Sequence, residues 1–579
     1  MQKFTFAKYP VFRLISTVLS IFRCLIHYNK KNFALILFGC VVYIFFITKR
    51  NVMRSSKLFT FMTCLSLSAF VASVMAQDAT AKKFTPTKFF DENGAYYGPD
   101  CDEKNYTGAY YTGDYTSPFK TILGKTDKDI QDKLDELWNH YFGGQNDKTV
   151  YYEDRDGGYI VDINNNDIRS EGMSYGMMIA VQTNHKDEFK KLWNWAKSHL
   201  WHDPARGGNG YFSWQANRDG STRDQGNAPD GEIYFMMSLL FAAHRWDDEN
   251  YMKDAQTILK ACWKGNGNSL YSEQSYIATF QPTDGNNTWG DASYSLPAFV
   301  DLFSRWSDTN KDKWKKATKA TRDHIYNSAN PQSGLCSDYS NFDGTPHHAF
   351  SDNSTKYAFD AIRCPMNYGM DYYLFGADAE RQTKIAKVIT DFFERDGYKH
   401  GHFNWDGSSG YGEFTIGQAG ANAVATYALL GEDSYKDLVK KVLQKAWDSK
   451  PIVGSQRYYD GLVHYLAMLH LTGNFKIWKP KPKVIKDKEM EATEINGVAY
   501  KEGDTIDWFE DCELYKVTFK AAAQPPKDTT VKDSSEAIHS MVLRTDKYKM
   551  QRDYNLKGCK VNHSNRAHGA YYGRKELVK

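Results

Sequence analysis

Residues 170–182 read SEGMSYGMMIAVQ, with one carboxylate at the second position and no charge in the eleven residues that follow. A helix with small or apolar residues on every side has no face for water and is buried all round. Five more stretches read the same way: DGEIYFMMSLLFAA at 230–243, ASYSLPAFVDLFS at 292–304, and segments near 358–375, 417–430 and 457–472. Amphipathic segments separate them. In the one near 127–142, Ile130, Leu134, Leu137, Trp138 and Tyr141 share a face, and similar segments lie near 186–200, 250–262, 312–327, 380–396 and 434–447. Six buried and six half-exposed helices in strict alternation, with strands hard to find between them, predict an inner ring inside an outer ring. The expected fold is an all-α (α/α)6 barrel over residues 105–478, with the N-terminal ends of the inner helices meeting at one mouth. A helical solenoid is the alternative, but no repeat is visible in the sequence.

The flanks read differently. Arg54 and Lys57, the apolar run Leu58–Val74 and the small-residue site ending at Ala76 give residues 53–76 a signal-peptide layout. The chain is therefore expected to be secreted or periplasmic. Residues 1–52, with an apolar run from Phe33 to Ile47, are read either as an upstream extension or as an N-terminal membrane anchor; fifteen residues is short for a span. Residues 77–104 read as a linker. After Trp478, KPKPKVIKDKEMEA is basic and reads as unfolded, residues 495–520 alternate enough for a small β-rich module, and the rest of 479–579 reads as linker and tail.

The 579 residues carry 73 Lys+Arg against 70 Asp+Glu, which gives no reason to expect a nucleic-acid partner. Aromatic residues make up 15%, and aromatic faces suit the flat apolar face of a sugar ring, though a large core also explains them. Of nine cysteines, Cys101, Cys262, Cys336, Cys364, Cys512 and Cys559 follow the signal-like segment; none has zinc spacing, and no metal or organic cofactor is expected. They read mainly as buried apolar residues, and any disulfide pairing stays open.

Three acids stand at the starts of inner-helix segments: Glu171, Asp230 and Asp360. Each reads equally well as a cap favoured by the helix dipole. Ser170, however, is available to cap, and the neighbourhood of Glu171 is apolar enough to raise its pKa, as a glycosidase needs of its proton donor. Asp371 is a further acid of the same segment as Asp360, ranked lower because it lies about three turns into its helix.

SEGMSYGMMIAVQ, PDGEIYF, DASYSLP, the D-A-x-R of Asp360–Arg363 and RYYDGLVHYLAMLHLTGNFKIW resemble, in order, the signature segments of glycoside hydrolase family 8. The resemblance covers about residues 105–478 and implies the same barrel. It further implies that Glu171 is the proton donor and Asp360 the general base of an inverting displacement. Asp230 then holds the sugar at the cleavage point, Tyr294 stands beside the attacking water, and Trp214 stacks on a sugar. Arg363 lies near the base, and Tyr175 joins the substrate-binding set. The most similar branch acts on xylan or xylo-oligosaccharides, and other branches act on β-glucan or chitosan. Members that release xylose from reducing ends carry a His-Pro plug. The matching stretch here, GSSGYGEFTIGQ with Phe414 and Thr415, lacks it, which predicts an open groove and internal cleavage unless Pro346-His347-His348 or another segment closes it. Outside this class stand a non-catalytic polysaccharide-binding barrel and a polysaccharide lyase. The latter is disfavoured because Arg169 and Arg363 are the main cations among the motifs. The enzyme is expected to act as a monomer.

Overall fold

The computed structural model describes residues 89–521, apart from 101–106, 146, 284, 483, 492, 496–497 and 511–512. The signal-like segment, the apolar run at 33–47 and most of the tail lie outside the described residues. So do Cys101, Cys512 and Cys559. Among the described residues no helix is long and apolar enough to cross a membrane.

Twelve helices carry the fold. They are α1 (Asp127–Phe142), α2 (Ser170–Gln182), α3 (Lys186–His199), α4 (Pro229–Trp246), α5 (Glu249–Ala261), α6 (Pro297–Trp306), α7 (Lys311–Ser328), α8 (Cys364–Phe375), α9 (Ala379–Asp396), α10 (Ile416–Ala425), α11 (Lys436–Asp448) and α12 (Tyr459–Leu471). The even-numbered helices form the inner ring: α2 packs on α4, α6 on α8, α8 on α10, α10 on α12, and α12 on α2. Tyr234 of α4 and Phe299 of α6 meet edge to face with centroids 5.1 Å apart. The odd-numbered helices lie outside, each burying one stripe, as Ile130, Leu134, Leu137 and Tyr141 do in α1. The predicted (α/α)6 barrel is the observed architecture.

Local chemistry sets where these helices begin. Thr126 and Asp129 form a capping box at the start of α1, and Thr415 and Gln418 form one at α10. Two inner segments start later than periodicity suggests. In the 292–304 stretch, residues Ala292–Tyr294 form a short 3-10 turn and α6 begins only at Pro297. Before α8, Asp360–Arg363 form another, and Pro365 sits in the first turn of the helix. Proline lacks the N–H that an interior position must donate, so each helix starts beside its proline. Tyr294 and Asp360 thereby ride on tight turns rather than on the helices.

Close inter-helix packing requires glycine at particular places. A Cβ on Gly172 would lie 2.4 Å from the Tyr458 ring, and one on Gly231 would lie 2.6 Å from Ser170 Oγ. Helix α2 can therefore press against both α4 and the start of α12.

Two flanking expectations change. Residues 89–100, read as part of a linker, bury Phe89, Ala95 and Tyr96. This strap is tied down by Lys479 N–H donating to Tyr96 O at 2.8 Å and by an Arg245–Asp91 ion pair at 2.9 Å. The basic stretch after Trp478, read as unfolded, supplies the strand Val484–Glu491. That strand belongs to a three-stranded sheet ordered 484–491, 513–520, 505–510. Lys, Asp and Glu are poor strand formers, so VIKDKEME carries no strand signal of its own, and pairing with 513–520 makes it a strand. Residues 494–495 and 498–499 add a two-stranded pair. Cys262, Cys336 and Cys364 are buried free thiols.

Candidate active site

Arg363 ends the turn before α8, and its side chain enters the space enclosed by the starts of the inner helices. It is only 2% exposed. One arm of its guanidinium, Nη1, donates to Glu171 Oε2 at 2.8 Å, to Tyr175 hydroxyl at 2.8 Å and to Asp230 Oδ2 at 2.6 Å. The other arm, Nη2, donates to Ser293 Oγ at 2.7 Å and to Asp360 Oδ1 at 2.8 Å. Tyr458 hydroxyl, at the start of α12, donates to the second oxygen of Glu171 at 2.9 Å. Four segments remote in sequence (the starts of α2 and α4 and the turns before α6 and α8) thus meet on one planar cation, with the start of α12 joined through Glu171. Guanidinium suits this role because its fork presents donors in fixed directions and remains charged.

The electrostatics divide the acids. Burial pushes the Glu171 carboxyl up to about 7; Arg363 opposes this, Asp230 and Asp360 add to it, and the Tyr458 hydrogen bond opposes it. Burial also raises Asp230, again against the pull of Arg363. A carboxylic acid that titrates near neutrality can hold a proton and deliver it to a leaving oxygen. Asp360 is the more open partner, its side chain 29% exposed. Its oxygen and that of Glu171 each lie 2.8 Å from sister nitrogens of one guanidinium. Two oxygens so held lie within about 8 Å of each other, a bound that covers both the roughly 6.5–9.5 Å of a single displacement and the roughly 5–5.5 Å of a double one.

Glu171, Asp230, Tyr175, Arg363 and Asp360 come together as the sequence suggests, and Tyr294 is buried with Asp230, Asp291, Asp360 and Arg363 in its electrostatic surroundings. Trp214 is half-buried, with the Arg169 guanidinium 5.4 Å from its ring. Arg169 is held by Asp162 at 3.1 Å and Asp167 at 3.2 Å, so it serves the wall of the site rather than its centre. Ser170 is not the cap: it lies inside α2, and its hydroxyl is buried without a hydrogen-bond partner. Asp371, the lower-ranked base, is fully buried and bound by Arg322 at 2.8 and 2.9 Å and by Gln382 at 2.7 Å. It has neither access nor a free oxygen for a water.

Sequence reasoning missed Ser293, Tyr458 and Tyr459. Tyr459 donates to Phe359 O at 2.6 Å, bracing the residue before Asp360. The RYYDG start of the last inner helix was the available signal, since two polar aromatics at the first turn of a buried helix face the mouth. Asp291 and Asp338, buried behind Asp360, were missed as well.

A barrel of six inner and six outer helices, with a buried glutamate and a more exposed aspartate on opposite arms of one arginine, has the paired carboxyl groups that glycoside hydrolysis uses. The chain belongs to Glycosyl hydrolases family 8, whose family profile matches residues 151–473. It is similar to the reducing end xylose-releasing exo-oligoxylanase of Halalkalibacterium halodurans, 33% identical over 66% of this chain and 98% of that enzyme. It is also similar to exo-oligoxylanase Rex8A of Paenibacillus barcinonensis, 32% identical over 64% of this chain and 98% of that one. Endoglucanase A of Acetivibrio thermocellus is more distant, 27% identical over 54% of this chain and 63% of that protein. Among solved structures, a reducing-end-xylose releasing exo-oligoxylanase complexed with xylose superposes with a TM-score of 0.59 at 33% identity, covering 64% of this chain and all of the other.

Proposed function

We propose that this hydrolase cleaves β-1,4-xylosidic bonds in xylo-oligosaccharides and releases xylose from a chain end. The observation that carries the chemistry is the pairing of Glu171 and Asp360 across Arg363. Glu171 donates its proton to the glycosidic oxygen. Asp360 takes a proton from a water, whose oxygen attacks the anomeric carbon from the opposite face as the C–O bond breaks. One displacement inverts the anomeric centre. Asp230 and Tyr175, fixed by the same guanidinium, line the ring at the cleavage point.

The names of the similar enzymes support xylose chains and end-wise cutting. The loops beside Asp360 support the latter against the open-groove expectation. Phe414 packs inward on Phe393 and Tyr398, with centroids 5.4 and 5.5 Å away, and blocks nothing. Tyr411 of the same loop is exposed; its hydroxyl donates to Asn353 at 3.3 Å, and its ring meets His402, which meets Phe359 in turn. These contacts set an aromatic cluster beside Phe359, the residue that precedes Asp360. Incubation with xylotriose to xylohexaose, followed by proton NMR and chromatography, tests the reading. Xylose should accumulate from the outset, fresh cleavage should yield the α-anomer first, and the viscosity of soluble xylan should barely fall. An initial β-anomer refutes Asp360 as base, and a steep viscosity drop refutes end-wise action.

Export is part of the same proposal and rests on the signal-peptide layout of residues 53–76. Secreted protein should begin at Gln77 on N-terminal sequencing; a mature chain that keeps residues 33–47 would make it a membrane-anchored enzyme instead.

A further inference from the structure

Arg363 Nη2 tethers one oxygen of the Asp360 carboxylate, at 2.8 Å. The direction of its other oxygen therefore depends on the turn that carries it. That turn has no side-chain cap from the residue that precedes it, Phe359. A carboxylate from a separate segment replaces the cap. Asp338, 4% exposed, accepts the backbone N–H of Ala358 at 3.3 Å and of Ala361 at 3.0 Å on one oxygen, and that of Phe359 at 3.2 Å on the other. These three amides bracket Asp360. Asp338 also donates its own N–H to Lys356 O at 2.8 Å, joining it to the strand that enters the turn. The strand beyond it, Tyr339–Ser340, pairs with Gly290–Asp291. There Asp291 accepts the Ser293 N–H at 2.6 Å, and Ser293 Oγ takes an arm of Arg363. One two-stranded ribbon thus orients the base and steadies the arginine that tethers it.

We infer that Asp338 is the positioning residue of the general base: its grip on the amides of Ala358, Phe359 and Ala361 aims the Asp360 carboxylate at the attacking water. The inference rests on the reading of Asp360 given above. An ordinary buried cap makes a different prediction, a loss of stability with unchanged chemistry in whatever protein stays folded.

Asp338→Asn keeps the shape but turns an N–H2 toward one of the three donors. Turnover of xylotriose should fall by roughly 10²-fold, the scale of an ångström-sized misplacement of a reacting group, with KM within about twofold. Azide supplies the discriminating readout. As an anion it attacks the anomeric carbon without surrendering a proton, while the glycosidic C–O bond breaks and Glu171 protonates the leaving oxygen, giving an α-xylosyl azide. Azide should restore the variant's rate at least tenfold and leave the parent unaffected. Unchanged turnover, or a loss that azide does not relieve, overturns the inference. If Asp338→Asn does not fold, Phe359→Pro deletes one of the three donors at a φ of −75° that proline already fits, and the same outcomes decide. Asp360→Ala runs alongside: parent-like turnover in that variant refutes the assignment of the base itself, whereas its inactivity with azide rescue leaves Asp338 to be judged alone.

Discussion

Replacing Arg363 by lysine keeps a positive charge in the site and removes the fork. The guanidinium makes five side-chain hydrogen bonds, three of them to carboxylates: Glu171, Asp230 and Asp360. An ammonium has three donors on a single nitrogen, and that nitrogen cannot stand at both ends of a fork. At least two bonds go. Hydrogen bonds to charged groups are worth about 1.5–3 kcal/mol each, so the gross loss is about 3–6 kcal/mol. Glu171 and Asp230, both raised by burial, recover part of it by taking up protons, because a neutral carboxyl no longer needs the cation. That recovery harms catalysis: Glu171, freed of the Arg363 pull that lowers it, holds its proton more tightly, and Asp360 loses the guanidinium arm that tethers it. Arg363→Lys should therefore lower kcat about 10³-fold, within the range attributed to positioned acid–base groups. It should shift the basic limb of the pH profile upward and lower the midpoint of urea unfolding. Steady-state kinetics on xylotriose from pH 4 to 9, with unfolding at each pH, measure both. A variant that keeps kcat within tenfold, with an unmoved profile, would show that charge alone suffices and that the two-armed geometry is incidental.

Two further outcomes follow from the same site. Glu171→Gln should fold normally and lose on the order of 10²–10⁴-fold in hydrolysis of unactivated xylo-oligosaccharides; near-parental turnover would dismiss Glu171 as the donor. Because Glu171 must be protonated to act and burial places it at about 7, kcat/KM should be sustained below neutrality and decline as pH rises through about 7; a basic limb near 5 would mean that the donor is not desolvated as described.

The barrel was legible because its signal is one-dimensional. A helix buried on all sides must be apolar all round, and an outer helix must carry one stripe, so twelve alternating segments declared two rings before any contact was known. Glu171, Asp230 and Asp360 could be picked out for a related reason: charge in an apolar helix start needs an explanation. What the chain order could not say is which partner each charge meets. Asp360 and Asp371 both looked usable, yet only the turn before α8 reaches the mouth, while Asp371 is spent on Arg322 of an outer helix. Ser170 looked like a cap, yet Gly231 of the neighbouring helix packs against it. Tyr458 reaches Glu171 from 287 residues away, and Asp338 caps a turn twenty residues distant. Hydrophobic periodicity is written along the chain because each residue must match its own surroundings. The direction of a hydrogen bond and the acidity of a buried carboxyl depend on what other segments bring to the same point, and only the tertiary fold decides that.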